Sequence, residues 1–181
     1  MVKHAIALIG MPGAGKSRIG RLLSGRYKFP FVDLDKAIER AEEMPTTQIF
    51  AERGEAYFRA LETAALASVA TAGGGVIACG GGIVVRPQNI KILQDSCFTV
   101  FLRAEIETLL ARVEGKDTRP LLVGDTESKL RALWETRAPL YARAADCTVA
   151  VDAGDAAAVA SEIIAAAEKA GVLSRGKFVT P

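Results

Sequence analysis

Gly10-Met11-Pro12-Gly13-Ala14-Gly15-Lys16-Ser17 follows directly on the apolar run Ala5-Ile6-Ala7-Leu8-Ile9. It fits G-x-x-x-x-G-K-[ST] at every position and lies between a short apolar run and an amphipathic stretch. That context predicts a buried strand over residues 4–9, a wrapped loop, and a helix over 16–27. Glycines let such a loop curl until its backbone N–H groups point inward at phosphate oxygens. The helix start adds a favourable dipole for anions. Gly13, Ala14, Gly15, Lys16, Ser17 and Arg18 are therefore candidate nucleotide-binding residues. Lys16 is placed to bridge the β- and γ-phosphates, and the Ser17 hydroxyl to ligate Mg²⁺. The pattern speaks for ATP or GTP and leaves the phosphate acceptor open.

Working outward, short apolar runs alternate with amphipathic segments, as in βα units on a parallel sheet. Strands are predicted over 30–32, 76–79, 98–102 and 147–151. Helices are predicted through residue 72, with 55–70 the longest, and over 105–113, 128–137 and 156–170. Pro139 is expected to end the helix before it, because the residue preceding a proline is pushed out of helical space. Residues 115–124 are polar and flanked by glycine, which predicts a loop, and 173–181 should form a frayed tail. Five parallel strands between helices give a three-layer α/β fold with its ligands at the carboxyl ends of the strands.

Composition narrows the classes further. The chain has 181 residues, half of them hydrophobic, and a formal net charge of +2. That length fits one domain with its own core, here residues 1–172, and that charge speaks against nucleic acid or a membrane surface as a partner. No apolar run approaches membrane-spanning length, and the sequence before the glycine-rich loop leaves no room for a signal peptide. Cys79, Cys97 and Cys147 are widely spaced, and His4 is the only histidine. Reduced, buried thiols in a cytoplasmic protein are expected, and no zinc site.

Asp33 and Asp35 close the second predicted strand. One carboxylate near Ser17 is suited to the water shell of a metal, and the other to accept the proton of a substrate hydroxyl. The same aspartates equally read as caps for the helix that follows. Arg59 and Glu62 are helix-face neighbours that face the cleft or pair in solvent. Gly80, Gly81 and Gly82 end the third strand, where a ligand approaches backbone closely or the chain simply turns. Arg137 faces the same cleft or caps its own helix with a positive charge.

The motifs GMPGAGKS, FVDLD, GEAYFR, the glycines after VIAC, TRPLL and RAPLY, in this order and spacing, resemble the shikimate kinase family. The likeness runs from Ile6 to Val151. It implies a P-loop kinase that moves the γ-phosphate of ATP to the 3-hydroxyl of shikimate, with Mg²⁺, in aromatic amino acid biosynthesis. It implies Asp33 near the magnesium, Asp35 as base on the shikimate hydroxyls, and Arg59 and Arg137 on the carboxylate. Gly80, Gly81 and Gly82 would line the substrate, Arg119 would reach the transferring phosphate, and Arg112 would stack on adenine. An acceptor-binding segment at about 33–62, a mobile lid at about 114–125 and a monomer are expected. Planar arginines suit a carboxylate, and Asp35 suits a polyhydroxyl ring. Two departures from the family pattern are Glu42-Glu43-Met44-Pro45, where a glycine is usual, and the lack of a basic residue near 152–157. Kinases of quinate or gluconate are the alternatives within the class. A regulatory nucleotide-binding module would not need Lys16, Ser17, Asp35 and Arg119 together.

Overall fold

The structure is a computed structural model that describes residues 3–113, 125–152, 154–174 and 177–178. Its centre is a parallel sheet of five strands: β1 (Ala5–Ile9), β2 (Phe31–Asp33), β3 (Gly75–Ala78), β4 (Cys97–Arg103) and β5 (Cys147–Ala150). Their spatial order is β2-β3-β1-β4-β5. All five residues of β1 are buried, as are Cys97 to Leu102 of β4, because helices cover both faces of a parallel sheet. This is why the central strands read as unbroken apolar runs. Between strands run α1 (Lys16–Tyr27), α2 (Leu34–Ala41), α3 (Thr46–Ala72), α4 (Pro87–Ser96), α5 (Ile106–Val113), α6 (Thr126–Ala144) and α7 (Ala156–Lys169). The strand order reverses at β1, so the glycine-rich loop leaves the sheet at its central crevice. No helix among the described residues is long and apolar enough to cross a membrane.

Three features differ from the sequence expectation. The helix predicted to stop before Pro139 continues through it to Ala144. Pro139 and Glu135, whose carbonyl loses its helical partner, both lie on the exposed face, where water replaces the bond. Leu130, Arg137, Tyr141 and Ala144 on the opposite face are buried and hold the helix in register. Second, α4 fills a stretch assigned no element; Pro87 starts it, and Ile90 and Leu93, one turn apart, face the core. Third, the tail is not frayed over its described part. β6 (Leu173–Ser174) and β7 (Lys177–Phe178) pair antiparallel, with Leu173 buried and the Phe178 ring 4.7 Å from that of Phe29.

Residues 34–62 form a lobe with its own small core of Ile38, Ile49 and Phe58. Glu39 ties its two helices together, accepting hydrogen bonds from the Thr46 backbone N–H at 3.0 Å and hydroxyl at 2.9 Å. Glu43, in the segment that departs from the family pattern, adopts the left-handed φ of 52°. A side chain is strained there, and glycine is not. Glu43→Gly should therefore stabilise the protein by up to about 1 kcal/mol, a rise in Tm of roughly 2–4 °C. Calorimetry on the two proteins checks this; a lower Tm for the variant would contradict it.

Candidate active site

One cleft of about 900 Å³ opens at the carboxyl ends of the strands, and Gly13 to Arg18, Asp33, Asp35, Arg59, Gly80 to Gly82, Arg112 and Arg137 all line it. Every described candidate thus falls in one place. Arg119, and the lid expected at 114–125 except for Asp125, lie outside the described residues.

At the end formed by the glycine-rich loop the Lys16 ammonium donates to the carbonyls of Gly10 at 2.7 Å and Met11 at 2.9 Å, which holds it over the loop. Gly13 has φ 88°, and a Cβ there would lie 2.9 Å from Val113 Cγ1. Any other residue would both strain the loop and push it off α5. Arg112 donates to the Val151 carbonyl at 2.7 Å, which fixes its guanidinium on the wall of the cleft that Val151 also lines.

The Ser17 hydroxyl donates to Asp33 Oδ2 at 2.5 Å, while Asp33 Oδ1 accepts from the Lys36 N–H at 3.3 Å. Asp33 therefore caps α2, and its second oxygen accepts from the serine of the loop. Hydroxyl and carboxylate are hard oxygen donors, the set that suits Mg²⁺ with phosphate and water completing the shell.

The triple glycine is the hub of the cleft's other end. A Cβ on Gly80 would lie 2.6 Å from Glu62 Oε1 and 2.7 Å from Asp35 Oδ1. On Gly81 it would lie 3.1 Å from Pro12 of the glycine-rich loop, and on Gly82 it would run into the Arg59 guanidinium. The turn is glycine because phosphate loop, acid and arginine all press on its backbone. Arg137 donates to the Gly81 carbonyl at 3.1 Å, and the Tyr141 hydroxyl donates to the same oxygen. Arg137 lies inside α6 and is only 7% exposed, so it faces the cleft and does not cap its helix.

Arg59 is 5% exposed and Glu62 0%, so their pair is buried, not solvated. Arg59 Nη1 donates to Glu62 Oε2 at 2.9 Å, and Nε and Nη2 donate to Glu55 Oε1 at 3.1 and 2.9 Å. The guanidinium carbon stands 5.6 Å from the Phe58 ring centroid and 5.9 Å from that of Phe50. Burial raises the Glu62 carboxyl above its ordinary value, and Arg59 only partly offsets this. Glu62 Oε1 is buried with no hydrogen-bond partner among the described residues.

Sequence reasoning named Glu62 only as a neighbour of Arg59 and gave no role to Glu55 or Tyr141. The i, i+3 and i, i+4 spacing of Glu62 and Glu55 from Arg59 was a signal, but it does not say which face of a helix is buried. Burial raises the Cys79 thiol well above its ordinary value and the Cys97 thiol to about 12. Both are protonated near neutral pH, and Cys147 is half-buried.

Residues 12–168 match the family model described as shikimate kinase. A shikimate kinase of Dehalococcoides mccartyi is 43% identical over 147 residues, 81% of this chain and 84% of that protein. One from Moorella thermoacetica is 43% identical over 158 residues, 87% of this chain and 91% of that protein. Among solved structures, a shikimate kinase from Acinetobacter baumannii in complex with shikimate superposes with a TM-score of 0.90 at 32% identity, covering 94% of this chain and 96% of that one.

Proposed function

Because the chain belongs to the shikimate kinase family, we infer that its cleft binds ATP at the loop end and shikimate at the triple-glycine end and joins the two by phosphoryl transfer. The reaction is ATP-dependent phosphorylation of the 3-hydroxyl of shikimate, giving shikimate 3-phosphate and ADP. The observation that carries the assignment of residues is the packing of Gly80 to Gly82. One short turn touches the phosphate loop through Pro12, the acid through Asp35 and the carboxylate-reading arginine through Arg59.

In our reading the triphosphate lies along the N–H groups of Gly13 to Ser17, with the Lys16 ammonium neutralising charge at the β- and γ-phosphates. Arg112 lies against the base. Ser17 and Asp33 would hold Mg²⁺, which when bound offsets phosphate charge. Arg59 and Arg137 take the two oxygens of the shikimate carboxylate and so fix the ring. The 3-hydroxyl then donates to Asp35, which takes its proton as the new oxygen–phosphorus bond forms and the bond to the ADP oxygen breaks. The catalytic demand is positioning and charge, since the transition state is loose and needs little covalent help.

A coupled ADP-release assay across shikimate, quinate, gluconate and the nucleoside monophosphates tests this, with the product's phosphorylated position read by NMR. Shikimate should have the highest kcat/KM by at least about 100-fold, less than the discrimination a site fitted to a substrate hydroxyl can reach. A better substrate among the others would contradict the assignment.

A further inference from the structure

The Arg59 guanidinium lines the cleft and is held there from several sides. Gly82 backbone lies against its flat face, the rings of Phe50 and Phe58 stand nearby, and Glu62 takes Nη1. What remains is the edge formed by Nε and Nη2, the pair of parallel donors that suits a carboxylate. A single oxygen of Glu55 occupies it, at 3.1 and 2.9 Å.

The two glutamates differ sharply. The Glu62 side chain is 0% exposed and fixed, whereas that of Glu55 is 51% exposed. Glu55 opens the second arm of α3, just after the break at Gly54, whose φ of 78° is not helical. A carboxylate leaving Arg59 therefore enters solvent at a helix start, where negative charge is favoured. Charge points the same way. With both glutamates ionised the triad carries one net negative charge, which repels an incoming carboxylate. Releasing Glu55 restores a neutral pair, and the substrate takes over the vacated donors one for one.

We propose that Glu55 is a placeholder for the acceptor's carboxylate: it holds the Nε–Nη2 edge of Arg59 and is exchanged for the substrate. Glu55 is thereby a specificity-setting residue. It keeps the guanidinium oriented, and it charges every acceptor the cost of displacing a carboxylate, which only another carboxylate repays in kind. Small anions are excluded by the same competition. This rests on the reading that Arg59 contacts the shikimate carboxylate.

The test is Glu55→Gln, which keeps the shape and weakens the pairing. Shikimate affinity by calorimetry should tighten by roughly two- to five-fold, the worth of one half-exposed ion pair. Acetate, the probe for an open donor edge, should become a several-fold stronger competitive inhibitor against shikimate. A purely structural glutamate would move neither reading in that direction. Circular dichroism and the affinity for an ATP analogue establish that the variant is folded. Unchanged or weaker shikimate binding overturns the proposal, because Glu55 would then stay on Arg59 in the complex or do nothing. Arg59→Ala measured with shikimate and its neutral carboxamide analogue separates the two levels. If that variant keeps the full preference for carboxylate, the reading of Arg59 fails and the placeholder with it. If the preference falls while Glu55→Gln fails to tighten binding, only the placeholder is wrong.

Discussion

Lys16→Ala should remove turnover by at least about 1,000-fold while leaving the fold intact. A preorganised donor aimed at developing charge is typically worth about 100- to 1,000-fold, and Lys16 brings a full charge to the transferring phosphate. The fold should survive because the Lys16 ammonium lines the open cleft and donates to two carbonyls of its own loop, Gly10 and Met11. Single-turnover ATP consumption with circular dichroism measures both. Activity within a few-fold of wild type would end the assignment of the loop.

The acceptor clamp should be nearly as sensitive, but its two arginines are not equivalent. Losing one charge-assisted pair to a carboxylate costs about 2–5 kcal/mol, or roughly thirty- to several-thousand-fold in kcat/KM. Arg137→Ala should show this loss cleanly, since Arg137 gives up one hydrogen bond to the Gly81 carbonyl, and Tyr141 still holds that oxygen. Arg59→Ala also strands Glu62, which is fully buried and has its carboxyl already raised by burial. A carboxyl raised in the folded protein binds more protons there than in the unfolded chain. The Arg59→Ala variant should therefore lose stability as pH rises from the ordinary carboxylate range through the raised value. Adding Glu62→Gln removes that pH dependence without restoring shikimate use. Lysine at either position should rescue only partly, since one ammonium cannot reproduce two parallel donors.

What the sequence revealed, and what it hid, follows from the range of the forces involved. The phosphate loop was legible because its requirement is local: glycines, a lysine and a serine at fixed spacing between a strand and a helix. Asp33 was legible as two alternatives that do not exclude each other, since the oxygen not used in the cap to Lys36 meets Ser17. Arg137 stayed ambiguous because Pro139 suggested a helix end beside it. Only packing shows that the proline faces solvent and the arginine faces the cleft. Glu62 and Glu55 were the least legible. A glutamate three or four residues from an arginine reads as an exposed pair, and the burial of Arg59 and Glu62 depends on the Gly80–Gly82 turn arriving from another strand. The packed tail was missed for the same reason, since Phe178 has no local partner and finds Phe29 across the chain.

The most direct test of a carboxylate-reading kinase site is the preference for shikimate over its neutral carboxamide analogue, measured as the ratio of kcat/KM values. Wild type should prefer the carboxylate by roughly thirty-fold or more, and Arg59→Ala and Arg137→Ala should each lose most of that preference. Loss of discrimination separates direct contact from general damage, which lowers both rates alike. If both variants keep the full wild-type preference, neither arginine reads the carboxylate, and the acceptor end of the cleft has been misassigned.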